Sequence, residues 1–147
     1  EISLGLVGSE MCIRDRIVRY GVMHRNSFID SPRLLGADYA LRSHPNIFFA
    51  GQITGVEGYM ESAMSGILAG RNAVRRAEGK PTGCPNGETM SGALSRYISD
   101  ESVKHFQPMG ANFGILPPME PKIRDKKERY AALSNRALAA LDRFLEK

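Results

Sequence analysis

From residue 17 onward the apolar positions fall into short runs and helical stripes, separated by glycine and proline punctuation. Ile17-Val18-Arg19-Tyr20-Gly21-Val22-Met23 predicts a strand, closed by the polar turn His24-Arg25-Asn26. Asp30-Ser31-Pro32 marks a second turn, after which Leu34 and Leu35 are placed to pack on the core. Pro45-Asn46 introduces Ile47-Phe48-Phe49-Ala50, a continuous apolar run that predicts a strand buried on both faces, as in a parallel sheet. Gly51-Gln52-Ile53-Thr54-Gly55-Val56-Glu57-Gly58 follows, with three glycines that let the backbone turn tightly and approach a ligand. A helix is expected over 59–77, with Met60, Met64, Ile67, Leu68 and Val74 on or near one face, and Gly79 stops it. Ala63, Gly66 and Gly70 add small residues that permit close packing on that helix.

Residues 80–87 read as a Pro/Gly loop and 88–99 as a shorter helix carrying Met90, Ala93, Leu94 and Tyr97. The stretch 103–121 is irregular and rich in proline, glycine and aromatic residues. A last helix is expected over 125–146, where Tyr130, Leu133, Ala137, Leu141 and Phe144 step by three and four to form one buried stripe. No internal repeat is visible. The first sixteen residues keep neither period, and 3–15 resembles the translation of sequencing-adapter DNA at the ends of fragmentary gene assemblies. The expectation is that 1–16 is a non-native segment; the alternative is a genuine short strand over 3–7.

Composition narrows the classes. A chain of 147 residues with 42% hydrophobic content suits one packed domain or a piece of a larger one. No apolar run approaches the roughly 18–20 residues of a membrane span, and the opening stretch lacks the basic and apolar regions of a secretory signal. No membrane association and a cytoplasmic location are therefore expected. The net charge of +4 permits a polyanionic partner such as RNA without requiring one. Cys12 and Cys84 are far apart with no Cys/His ligand spacing, so no metal site and no structural disulfide are expected.

The feature richest in chemistry is the order strand, glycine turn, helix. A helix N-terminus offers unpaired N–H groups and a partial positive charge, both suited to an anionic ligand atom. Dinucleotide phosphates fit such a site, and so does the N1–C2=O edge of a flavin. The pattern alone leaves both open, together with a purely geometric role for the glycines.

The segment Phe48-Phe49-Ala50-Gly51-Gln52-Ile53-Thr54-Gly55-Val56-Glu57-Gly58-Tyr59-Met60-Glu61-Ser62-Ala63 resembles the C-terminal flavin-binding segment of the TrmFO family. Arg19-Tyr20-Gly21-Val22-Met23-His24-Arg25-Asn26, Phe28-Ile29-Asp30-Ser31-Pro32, Phe106-Gln107-Pro108-Met109, Asn112-Phe113-Gly114 and the basic run 122–129 resemble it too. The likeness covers nearly everything from residue 17. A related family, which installs carboxymethylaminomethyl groups on wobble uridines, shares the Ala-Gly-Gln-Ile-x-Gly core. Val56-Glu57 and the 19–26 stretch favour TrmFO.

The resemblance implies an α/β fold: the edge of a Rossmann-like FAD-binding domain (17–80), followed by a helical C-terminal extension (81–147). It implies a flavoenzyme that carries a one-carbon unit from methylenetetrahydrofolate to C5 of a T-loop uridine in tRNA, with NAD(P)H recharging the FAD. Gly51, Gln52, Ile53 and Thr54 would lie against the flavin and its ribityl–pyrophosphate arm, while Gly55, Gly58 and Tyr59 would shape the turn and helix start. Simple packing is the alternative for Tyr59, and a loop-stabilising hydrogen bond for Gln52. His24 and Arg25 are candidates for folate, phosphate or RNA contact, against a solvated turn. Lys126 and Lys127, with Lys122, Arg124 and Arg129, are candidates for the tRNA backbone, although Asp125 and Glu128 interrupt the run and favour a solvent-facing helix start.

Other parts of such an enzyme have no counterpart. No Gly-x-Gly-x-x-Gly follows a strand, and the family's cysteines lie upstream of the matching region. Cys84 sits in a Pro/Gly loop with no motif to make it a nucleophile, so no catalytic residue is assigned and the chain is expected to be inactive alone. The competing reading is a non-catalytic flavin- or RNA-binding module, with an ordinary FAD oxidoreductase a weaker third. Residues that would pack against a missing half are expected to leave an exposed apolar surface.

Overall fold

The computed structural model of the chain describes residues 27–146. The segment 1–16, the strand expected over 17–23 and the His24-Arg25-Asn26 turn lie outside the described residues. The remainder is a mixed α/β unit.

Pro32 in the first turn starts a single helical turn, α1 (Ser31–Leu34). A hairpin follows, β1 (Ala40–Leu41) against β2 (His44–Phe48), antiparallel with Ala40 opposite Phe48 and Leu41 opposite His44. The turn region then leads through β3 (Val56–Glu57) into α2 (Tyr59–Ala77). Helix α3 (Met90–Ser99) starts one turn later than the hydrophobic pattern suggests. Asn86 Oδ1 accepts the Glu88 N–H at 3.2 Å, holding 86–88 in a turn, and Thr89 Oγ1 caps the helix by accepting the Gly92 N–H at 2.9 Å. The chain returns as β4 (Met109–Gly110), parallel to β3, and ends in α4 (Lys126–Leu145). Asp125 caps α4 through the Glu128 N–H at 2.8 Å, matching the bounds expected from its stripe.

Two expectations are corrected. The apolar run 47–50 is not a strand buried on both faces within the described residues. Its first half belongs to β2, which pairs antiparallel with β1 alone and is exposed, with Ile47 at 48%. A period-free apolar run reports affinity for a core, not which element supplies it. On α2 the inward face is Ser65, Leu68, Ala69 and Asn72, whereas Met60 (80%), Ile67 (72%) and Val74 face outward. Tyr59, Ala63, Gly66 and Gly70 are exposed with them, so this outer face carries no charge along most of its length.

The larger core cluster joins Tyr39, Val56, Leu68, Ala69, Leu94, Ile98 and Phe106. A smaller one, Ala93, Leu116 and Leu133, docks α4 on α3, with Phe113 and Tyr130 packed beside it. Polar residues pin the loops to this core. Asn72 is fully buried; its amide donates to Asp38 O (3.0 Å) and Gly83 O (2.8 Å) and accepts from Gly83 N (3.0 Å). Thr82 Oγ1 donates to Asp38 Oδ2 at 2.6 Å, so the 80–85 loop is tied to the hairpin through two residues. Tyr39, buried in the same place, accepts a hydrogen bond from Ser95 Oγ at 3.2 Å.

Candidate functional site

Between β2 and α2 the backbone makes three successive left-handed excursions, at Gly51 (φ 78°), Gly55 (φ 84°) and Gly58 (φ 105°). Between the first two, Gln52–Thr54 forms one turn of 3-10 helix, closed by Thr54 N to Gly51 O (3.0 Å) and Gly55 N to Gln52 O (2.9 Å). Thr54 is buried, and its hydroxyl donates to Gly51 O at 2.8 Å. Gly51 N donates to Ser65 Oγ at 2.7 Å, and that hydroxyl donates to Ser62 O at 2.7 Å. The turn is thus riveted to the second turn of the helix it introduces.

The glycines differ in what they make room for. A Cβ on Gly51 would meet nothing within 4 Å, so its surface is open to an incoming group. A Cβ on Gly55 would collide with the Phe106 ring, reaching 2.7 Å from Cε1. Gly55 is therefore demanded by the protein's own packing as well as by its backbone angle.

At Gly58 no side chain caps α2, leaving its first-turn N–H groups free to meet an acceptor. Glu61, in that first turn, folds back over Gly58 and accepts the Ala111 N–H at 3.0 Å. The 106–112 segment is thereby fixed beside the turn. Met109 N donates to Gly55 O at 2.9 Å, Val56 pairs with Met109, and Tyr97 Oη donates to Gln107 O at 2.7 Å. Two stretches far apart in sequence make one wall.

Among the expected residues, Gly51, Gln52, Ile53, Thr54, Gly55, Gly58 and Tyr59 form this one continuous turn. Gln52, Ile53, Gly58 and Tyr59 are exposed, Tyr59 at 93%; Thr54 and Gly55 are buried. Lys126 and Lys127 are exposed in the first turn of α4, on a different element. His24 and Arg25 lie outside the described residues. Hydropathy did not flag Ser65, Glu61 or Phe106 as parts of the turn. The spacing of Ser65 seven residues after Gly58 puts it two turns into the helix, and only that position hints at its role.

Cys84 is half-buried, and burial raises its thiol above the usual range, with Asp38 adding to the effect and Arg96 opposing it. A thiol held in its neutral form is a poor nucleophile. Among the described residues no cluster of His, Cys, Asp and Glu is arranged to hold a metal, and no helix is long and apolar enough to cross a membrane.

The chemistry of the turn matches what is found among known proteins. The family described as Glucose inhibited division protein A matches residues 13–81, which include the strand, the turn and α2. Closer relatives carry the name methylenetetrahydrofolate--tRNA-(uracil-5-)-methyltransferase TrmFO. The protein from Streptococcus agalactiae serotype Ia is 59% identical over 129 residues, covering 87% of this chain and 29% of the relative. That of Syntrophomonas wolfei is 57% identical over 129 residues, 88% of this chain and 30% of the relative. That of Halalkalibacterium halodurans is 52% identical over 131 residues, 89% and 30% respectively. The chain belongs to the TrmFO family, and it spans under a third of the length of the curated relatives it matches.

Proposed function

We propose that this chain is the flavin-turn and C-terminal part of a cytoplasmic enzyme that methylates C5 of a T-loop uridine in tRNA. Methylenetetrahydrofolate would be the one-carbon donor, with FAD and NAD(P)H as the redox partners. Residues 17–80 would complete the edge of a Rossmann-like FAD-binding domain, 81–147 would form a helical extension, and 1–16 would be a non-native segment. The observation that carries this reading is the uncapped N-terminus of α2 behind an open, positive-φ Gly51, in a chain 52–59% identical to proteins of that name.

The residues present fit a planar, partly anionic group. Gly51 presents bare backbone, Gln52 supplies an exposed amide that can both donate and accept, and Ile53 and Tyr59 offer exposed apolar area. The free N–H groups at the start of α2 favour negative charge developing on the group they face. Thr54, Gly55 and Gly58 hold the turn rather than touch the ligand. When bound, the flavin would supply the electrons that reduce the transferred one-carbon unit to a methyl group.

Cys84 is poorly suited as the nucleophile that attacks uracil, so transfer would need the rest of the enzyme. The exposed Met60–Ile67–Val74 face of α2 and exposed Ile47 supply apolar surface for that remainder to cover.

The test is to replace the matching segment of the Streptococcus agalactiae relative with residues 27–146. One-carbon transfer from labelled methylenetetrahydrofolate to a tRNA transcript is then measured with FAD and NADPH present. The reading expects an active chimera, and an active chimera whose flavin is lost on Gly51→Ala would place the cofactor at this turn. A well-folded chimera that retains flavin but modifies no uridine would overturn the assignment.

A further inference from the structure

The strongest unexplained feature lies away from the glycine turn, where the 113–123 segment meets the start of α4. A cleft of about 550 Å³ opens there, within the size range of small-ligand pockets, roughly 300–1,000 Å³. Its floor is apolar, built from Leu116, Met119, Tyr130 and Leu133, and Phe113 stacks on Tyr130 with centroids 4.4 Å apart and rings 10° from parallel. Lys122 and Arg129 stand on its rim with one carboxylate, Glu120. Lys126 Nζ and Arg129 Cζ each lie 5.6 Å from the Tyr130 ring centroid.

Around the cleft, Lys122, Arg124, Lys126, Lys127 and Arg129 make no ion pair among the described residues. Six of the chain's other cations do: Arg33, Arg42, Arg76, Lys80, Arg136 and Arg143. Asp125, the carboxylate amid the run, is engaged as the α4 cap, accepting the Glu128 N–H.

We infer that this cleft is a seat for one unpaired RNA nucleotide, its base in the Phe113/Tyr130-lined slot and its flanking phosphates on Lys122, Lys126 and Arg129. The proposal rests on the reading that the chain belongs to an enzyme acting on tRNA, and adds where the RNA is gripped. Aromatic and apolar walls next to unpaired cations are what a single-stranded base with its backbone requires. A duplex keeps its bases stacked and would reach only the cations. An acidic peptide would find the cations but leave the planar slot empty.

The experiment titrates the 147-residue chain, by fluorescence anisotropy, into a labelled T-arm stem-loop RNA and into a fully paired RNA duplex with the same number of phosphates. The stem-loop is expected to bind about five-fold or more tightly than the duplex. Lys122→Ala with Lys126→Ala should weaken stem-loop binding at least about five-fold and flatten the log K against log salt slope by about one. Lys104→Ala, an equal charge loss at an exposed site elsewhere, should do neither. Both lysines are exposed, and circular dichroism checks that the variants fold. A second variant, Met119→Trp, fills the slot and should weaken the stem-loop while sparing the duplex. Equal affinity for duplex and stem-loop would overturn the base slot, and wild-type binding by the lysine variant would overturn the grip while leaving RNA recognition elsewhere intact. A wild-type chain that binds neither RNA would overturn both this inference and the RNA-contact part of the proposed function.

Discussion

Gly55→Ala is the substitution whose effect the structure states most completely. An alanine there must hold φ at 84° and ψ at 11°, a left-handed conformation that costs an L-residue about 1–2 kcal/mol. Its Cβ would also lie 2.7 Å from Phe106 Cε1, and Phe106 is itself buried in the larger core. Relieving that overlap means shifting a packed aromatic ring, an overpacking cost of about 1–3 kcal/mol. The combined loss of about 2–5 kcal/mol is a large share of the roughly 5–15 kcal/mol that holds a domain together.

Urea unfolding followed by far-UV circular dichroism at low micromolar concentration should show the midpoint falling by about 1–2 M for a slope of about 1–3 kcal/mol per M. Gly51→Ala is the matched control. Its backbone also sits at positive φ, but its Cβ meets nothing, so only a conformational cost of about 1–3 kcal/mol applies. Phe106→Leu should destabilise the wild-type chain yet recover part of the loss in the Gly55→Ala background, giving a non-additive cycle. Strict additivity in that cycle, with equal losses for the two glycine variants, would refute the reasoning.

Other outcomes follow from single sites. Burial, the dominant cause, pushes the Tyr39 phenol up to about 12, with Ser95 hydrogen bonding opposing it. Its folded pKa exceeds the unfolded value near 10, so the stability it contributes is complete below pH 10 and is lost as pH rises toward 12, by up to about 3 kcal/mol. Tyr39→Phe should flatten the fall in urea midpoint over that window, and an unchanged slope would exclude Tyr39 as its source. At neutral pH Cys84 should react with iodoacetamide several-fold more slowly than glutathione does, and Cys84→Ser should leave flavin binding unchanged in the chimera; a fast thiol would contradict its burial. Ile67→Lys should convert the isolated chain from an associating to a dispersed species in sedimentation velocity, because it breaks the uncharged outer face of α2. A wild-type chain that already sediments as a monomer at high concentration would count against that surface being sticky.

The helices were legible because their signals are local. Asp125 followed by a stripe stepping three and four gave α4 its start and its buried edge, and three glycines before Tyr59 marked where α2 begins. What escaped was set by partners rather than by period. Ile47, Met60, Ile67 and Val74 are apolar in sequence, yet nothing among the described residues covers them. Ser65 and Asn72 are polar in sequence, yet both are fully buried because each meets backbone groups that need a partner. β3 and β4 are two residues each, too short to carry any alternation, and their pairing follows from Phe106 packing on Gly55 and from Glu61 holding Ala111. The seven-residue turn assignment was readable as a contiguous motif; the wall beside it required the tertiary fold.

That wall also sets a clock. Glu61 and Ala111 are 50 residues apart, and Phe106 and Met109 reach the turn from the same distant stretch. On a ribosome adding roughly 5–20 residues per second, α2 emerges on the order of 3–10 s before the residues that brace its N-terminus. The glycine turn is thus unfinished while its own helix is already available, and a nascent chain stalled before residue 106 is expected to hold no ligand there. Cofactor capture, on this geometry, belongs to the last seconds of synthesis.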